Sequence, residues 1–291
     1  MLTVRTGLDI GPTEIFAAQV RLSGSGWSLQ ASAVMQRFSD SDSLIDEEAV
    51  ALESLLFRKG FFAAPCIISA PQNALASTTM ELPPATSGAP IEKLARAEFA
   101  RQNQLAPDAF TMSFWDLPNA GRGQQFMAVG CQIEPIDEVV ALLEAAGLAV
   151  AGVDDPARAM GRSLACVPTT ATVRVGARIE PWGTRIVVLH HSTLLYARSL
   201  PSLGLDARNG DLPALLAKEI DACIAFARHR SRSHAPASIT LLGRGASSDA
   251  IRTALLARFG DALRDPVTPA GDRLEPALAT AVGLALLEDS A

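Results

Sequence analysis

An order of elements that occurs twice constrains this chain more than any single motif. Residues 4–10 and 15–20 read as two strands around a tight turn, and residues 27–34 alternate as a third. A helix follows over 46–59, with Ala49, Leu52, Leu55 and Leu56 on one face and Gly60 ending it. The apolar run 65–71, bounded by prolines, suits a buried strand parallel to the first. The second half repeats this order. Strands are expected over 172–179, 184–190 and 193–199, a long helix over 211–229, a strand over 238–242 and a helix over 249–259. A last helix of small residues is expected over 275–287. Such a duplication predicts two α/β lobes facing a cleft.

The first copy carries long insertions. A strand over 77–82 stops at Pro83-Pro84, and a helix over 90–104 is expected to turn Leu94, Ala97, Phe99 and Ala100 inward. Residues 110–117 and 125–132 read as a strand pair around the turn 119–123, and a helix over 135–146 ends at Gly147. Residues 148–153 then lead into Asp154-Asp155-Pro156, a helix start, with Asp154 expected as the cap.

The first hairpin turn has chemistry in it. Asp9 sits at the end of an apolar run, and Gly11 lets the chain turn without a Cβ clash. Taken alone, Asp9-Ile10-Gly11 is either a plain hairpin turn or a metal–phosphate turn. In the second case its N–H groups cradle phosphate oxygens and the carboxylate orients a Mg²⁺-bound water.

Composition excludes several classes. Apolar residues make up 48% and charged residues 19%, which supports a core and argues against global disorder. A net charge of −6 argues against general nucleic-acid affinity. The short basic stretch 228–234 reads as a solvated loop after a helix or as a contact for an acidic or lipid surface. The four cysteines lie far apart among apolar residues, as buried thiols of a reducing compartment do, and the four histidines show no ligand spacing. No run of about 18 apolar residues is present to span a membrane, and the start lacks a secretory leader pattern, so a cytoplasmic protein is expected.

The ordered set of motifs resembles the actin-like ATPase superfamily, and within it the PilM proteins of type IV pilus assembly. Asp9-Ile10-Gly11 matches the first phosphate turn of that family, and Leu241-Leu242-Gly243-Arg244-Gly245-Ala246 its adenosine-side motif. Ile67-Ile68-Ser69-Ala70-Pro71 and Thr79-Met80-Glu81-Leu82-Pro83 resemble the run between the lobes. Residues 129–132, 136–152 and Val153-Asp154-Asp155-Pro156-Ala157-Arg158-Ala159 resemble the run that follows it. Tyr196-Ala197-Arg198-Ser199-Leu200-Pro201 and Ala281-Val282-Gly283-Leu284-Ala285-Leu286 resemble its later motifs.

The resemblance implies a two-lobed actin-like ATPase fold, a duplicated ribonuclease H-like α/β architecture with a subdomain inserted in lobe one. Lobe one is expected over 1–153 with the C-terminal helix 275–291, lobe two over 154–270, and the insertion over about 72–133. It implies ATP and Mg²⁺ at Asp9, Gly11, Thr13, Glu180, Gly183, Thr184, Gly243 and Gly245, with Asp9 toward the metal. The expected role is a cytoplasmic scaffold of a pilus or related secretion platform. Its partner would be an N-terminal peptide of a PilN-like inner-membrane protein, which would also bring it to the membrane.

The peptide is expected near the insertion, where Phe99, Phe114, Trp115, Phe126 and Met127 cluster with Leu94. The alternative is a working ATPase or small-molecule kinase, with Asp9 as the acid and Asp154 behind it. Departures from the family pattern weigh against turnover. Lobe two has Glu180-Pro181-Trp182-Gly183-Thr184 where an Asp turn is usual, Pro12 and Pro181 each remove a backbone N–H, and Arg244 stands where glycine is usual.

Overall fold

Three sheets organise the protein in its computed structural model, which describes residues 3–24, 26–39, 43–118, 124–207, 211–232 and 236–287. Strands β1 (Thr3–Ile10), β2 (Glu14–Ser23) and β3 (Gly26–Gln36) form an antiparallel meander. Helix α1 (Asp46–Arg58) crosses to β4 (Cys66–Ser69), which lies parallel to β1. The chain then leaves this sheet. Strand β5 (Leu75–Leu82), helix α2 (Ile91–Asn103) and strands β6 (Phe110–Asp116) and β7 (Gln124–Gln132) build a separate antiparallel sheet in the order β5-β7-β6. Helix α3 (Ile133–Ala145) returns to β8 (Val150–Asp154), which completes the first sheet as β3-β2-β1-β4-β8.

Helix α4 (Pro156–Ala165) leads to the second copy. Strands β9 (Val173–Glu180), β10 (Gly183–His190) and β11 (Thr193–Leu200) form a meander, and α5 (Leu212–Ser231) crosses to β12 (Ala237–Leu242), parallel to β9. Helix α6 (Asp249–Phe259) and a two-residue strand β13 (Leu263–Arg264) give the order β11-β10-β9-β12-β13. After a 3-10 turn, Pro276–Leu278, the last helix among the described residues is α7 (Ala279–Ala285).

Several local expectations need correction. Leu94 and Ala97 are exposed, and the buried face of α2 is Ala95, Phe99 and Ala100. The cap of α4 is Asp155, whose carboxylate accepts from the Ala157 amide at 2.9 Å, because Pro156 occupies the first helical position. Asp154 instead ends β8 and pairs with Arg162 and Arg158. The last helix is shorter than its periodicity predicted, and β13 was not anticipated. The turn 119–123 lies outside the described residues, as do residues 233–234 of the basic stretch and 288–291 of the C-terminal helix. The described part of the basic stretch lies in α5, with Arg232 as its left-handed cap.

The two large sheets meet through α4 and α7. Phe16 and Ala18 of β2, Val187 and Leu189 of β10, Met160 and Leu164 of α4, and Ala281 and Val282 of α7 form one buried cluster. This contact depends on missing side chains. A Cβ on Gly7 would sit 1.9 Å from the Ala281 carbonyl oxygen, and one on Gly283 would sit 1.8 Å from that of Ala159. Both clashes are with backbone, so no rotamer change relieves them. We expect Gly283→Ala to cost about 3 kcal/mol, the upper end of ordinary overpacking, measured by denaturant unfolding. An unchanged midpoint would mean that α7 does not pack against α4 this closely.

A buried ion pair fixes the wall beside the first turn. Arg37 donates from Nε and Nη2 to Glu48 Oε2 at 3.0 and 2.9 Å. The other carboxylate oxygen accepts from the Phe38 and Ser39 amides, each at 3.1 Å, and from Ser39 Oγ at 2.9 Å. Burial would raise the Glu48 pKa, but Arg37 and the Ser39 donors together outweigh it and hold the carboxyl below its usual range. A depressed folded-state pKa means the contribution is complete above the unfolded value. It is lost as the pH falls from about 4.5 through the lower folded value. Glu48→Ala should therefore cost about 3–5 kcal/mol at pH 7 and less at pH 3, read by melting at both values; an equal loss at both would contradict the pairing.

Candidate functional site

Asp9 ends an apolar strand, and the residue that meets it comes from the other large sheet. Arg178 Nη1 of β9 lies 2.5 Å from Asp9 Oδ2, and Arg178 Nε donates to Glu180 Oε1 at 2.7 Å. Nη1 also donates to Thr280 Oγ1 of α7 at 3.3 Å, and the guanidinium lies over the Phe16 ring at 5.5 Å. Asp9, Arg178 and Glu180 are all at most 3% exposed. Residues 178 and 180 share one face of a strand because side chains alternate. The sequence therefore places a cation beside an acid at the end of β9, and the fold brings Asp9 onto both.

The electrostatics follow from burial. Taking Arg178 out of water would loosen its proton, but attraction to Asp9, and then to Glu180, outweighs that and holds the guanidinium above its usual value. Burial pushes Glu180 above the usual carboxylate range, against the pull of Arg178 and of the Arg244 amide. The group is a cation enclosed by two acids, so one positive charge is shared by two carboxylates away from solvent, and Glu180 is the one whose ionisation burial disfavours.

Several backbone groups of the two turns are already engaged. The Ile10 amide donates to Ser69 Oγ at 2.8 Å and the Gly11 amide to the Glu14 carbonyl at 2.8 Å, while Pro12 has no N–H. The carbonyls of Gly11 and Pro12 each accept from Arg37 Nη1 at 3.4 Å. Thr13 is exposed, and its carbonyl accepts from the Arg37 amide. In the second copy the turn is shorter. Glu180 pairs directly with Gly183 across Pro181-Trp182, a two-residue hairpin where the first turn has four residues between its paired ends Ile10 and Ile15. This hairpin is covered: the Leu205 amide donates to the Glu180 carbonyl, the Asp206 amide to the Pro181 carbonyl, and Thr184 Oγ1 to the Leu203 carbonyl.

Gly243 and Gly245 have packing reasons to be glycine. Gly243 has φ of 74°, and a Cβ there would meet the Ile179 carbonyl at 2.7 Å. A Cβ on Gly245 would meet Ile179 Cγ2 at 2.5 Å. Both glycines therefore seat the β12 loop on the end of β9. Between them, Arg244 reaches across to lobe one: its Nε donates to Glu14 Oε2 at 2.5 Å, and its Nη2 to Glu14 Oε1. The Arg244 amide lies 3.4 Å from Glu180 Oε2. Arg178, Glu14 and the pairing of Arg244 were missed as site residues. The alternation of Arg178 and Glu180 at the end of a largely apolar strand was the available signal.

These residues do not fit a Mg²⁺–nucleotide. Such a group needs a carboxylate open to metal-bound water and unengaged amides facing the phosphates. Arg178 holds the Asp9 carboxylate, and the Ile10 and Gly11 amides already have acceptors. Among the described residues there is also no cluster of three or more His, Cys, Asp or Glu with metal-holding geometry.

A second feature lies between the inserted sheet and the body. Two adjoining pockets, of about 100 and 170 Å³, share Leu75, Val129 and Asp155. The first is also lined by Thr111 and Arg158, the second by Arg185 and Leu194. Together they make a groove lined by apolar and polar side chains, with a charged floor of Asp155, Arg158 and Arg185. Burial raises the Asp155 pKa and lowers that of Arg185, so each is held out of water near the other. Trp115 Nε1 donates to the Leu194 carbonyl at 2.8 Å, tying the insertion to β11 at one end of the groove. Of the aromatic cluster expected at the insertion, Phe99 and Phe126 fill its core, and Phe114 packs against that core.

No family model matches the chain, and no curated protein does. Solved structures do. A chain of the PilM–PilN type IV pilus biogenesis complex is similar at 20% identity and TM-score 0.73, over 97% of this chain and 97% of that one. The inorganic polyphosphate/ATP-glucomannokinase of Arthrobacter sp. strain KM is similar at 14% identity and TM-score 0.53, over 98% and 97%. The ethanolamine utilization protein EutJ of Carboxydothermus hydrogenoformans is similar at 15% identity and TM-score 0.51, over 97% and 89%. The chain has the two-lobed actin-like ATPase fold, and it follows a chain of the PilM–PilN complex over almost its whole length.

Proposed function

We propose that this protein is a PilM-like scaffold of a type IV pilus or related secretion platform, and that it captures an extended N-terminal peptide of a PilN-like inner-membrane protein. The observation that carries this reading is the groove between the inserted sheet and the body, on a fold shared end to end with a chain of the PilM–PilN complex. In this reading lobe one comprises about residues 1–153 with the C-terminal helix, lobe two about 154–270, and the groove lies between the insertion at about 72–133 and residues such as Arg185 and Leu194 of lobe two.

The chemistry of the groove suits such a peptide. An extended segment offers main-chain groups and alternate side chains. Strands β5 and β6 each have one edge without a strand partner among the described residues, and Leu75, Met127 and Val129 supply apolar contacts. Asp155 and Arg185 give the floor a donor and an acceptor of opposite charge. No helix of the described residues is long and apolar enough to cross a membrane, so a membrane partner would supply the anchor in this scheme. Pilus platform proteins are the expected neighbours, and binding rather than turnover is the expected activity.

Calorimetry with the partner peptide tests the proposal. Val129→Arg in a folded variant should weaken binding at least tenfold, about 1.4 kcal/mol. Leu215→Arg, at an exposed position on α5 away from the groove, should leave it unchanged. Equal affinity in wild type and Val129→Arg would contradict the proposal.

A further inference from the structure

We propose that the cleft of this protein is held closed by its own side chains, with Arg178 standing where a metal–phosphate group would bridge the two lobes. Four observations carry this. Arg178 of β9 contacts Asp9 of β1, so a cation from lobe two sits on the carboxylate that a metal-bound water would need. The same guanidinium engages Glu180, the only acid at the second turn, and Thr280 of α7. Arg244 of the glycine loop pairs with Glu14 of β2, a second ion pair between the same two sheets. The amides of Ile10 and Gly11 have acceptors within the chain, and the second turn is two residues long and covered by 203–206.

A cation between two buried carboxylates does the electrostatic work that Mg²⁺ does between a carboxylate and phosphates. It offsets the repulsion between like charges, and it fixes the distance between the strands that carry them. The difference is that this cation is covalently part of lobe two. Closure then needs no ligand and cannot be released by exchange or hydrolysis. The inference concerns the cleft and is independent of the peptide groove, so either can fail alone.

The full-length chain is melted with and without 5 mM MgATP, roughly a hundredfold a Kd of 50 µM. The proposal expects a shift below about 1 °C, whereas a native-state ligand at that excess would raise the midpoint by roughly 4 °C for a chain of this size. A saturable rise of that order overturns it. The second arm uses Arg178→Met, which removes the cation and keeps the bulk. The variant should melt several degrees lower and should regain part of that loss in millimolar Mg²⁺, because Asp9 and Glu180 then face each other without a counter-charge. A variant that melts like wild type overturns the clamp. If the variant does not fold, the wild-type melt with MgATP still decides, and small-angle scattering gives an independent reading. The radius of gyration should be the same with and without MgATP; contraction on adding it overturns closure by side chains.

Discussion

A guanidinium buried against two carboxylates sets the relation between the two halves of this protein. Arg178 cannot leave water without counter-charges, and the ones it finds lie on different sheets. Removing either partner of a buried pair leaves an uncompensated charge, at a cost of about 3–5 kcal/mol. The network therefore favours one relative position of the lobes, the one in which Asp9, Arg178 and Glu180 meet. The Arg244–Glu14 pair adds a contact at the rim, where Arg244 is half exposed and salt screening weakens it.

The remaining structure makes that meeting possible. Two copies of a strand meander place Asp9 and Glu180 at the ends of central strands. Small residues in β1, α4 and α7 let the sheets approach: Gly7, Ala159, Ala281 and Gly283 pack at backbone distance. Thr280 Oγ1 of α7 then accepts from Arg178, so the helix that fills the space between the lobes also completes the polar cluster. Apolar packing and ion pairing thus act on the same interface. The inserted sheet lies to one side and lines the groove, so the cleft held by ion pairs and the surface with open strand edges are separate regions.

Much of the fold was legible because it rests on local pattern. Apolar runs around tight turns and the alternation over 27–34 gave the meanders, prolines bounded β4, and a Pro after Asp155 marked the start of α4. Misreadings arose where two neighbours compete for one geometric role. Leu94 and Ala95 differ by about 100° around a helix, and the buried face followed Ala95 and Phe99. Asp154 and Asp155 both suit a cap, but only the residue just before Pro156 has the geometry for it. The site was less legible for a different reason. Asp9, Gly11, Gly243 and Gly245 were visible as motifs, yet their environment is decided by Arg178 and Arg244, whose partners lie far along the chain. A glycine in sequence does not disclose whether a ligand or the chain's own strand fills the space beside it; at Gly243 and Gly245 it is Ile179.

The most direct measurement is a crystal structure of the full chain grown in 5 mM MgATP. The account predicts Arg178 in contact with both Asp9 and Glu180, Arg244 paired with Glu14, and no nucleotide or metal density between the lobes. Mg²⁺ on Asp9 with Arg178 turned away, and a nucleotide beside Gly243 and Gly245, would contradict it.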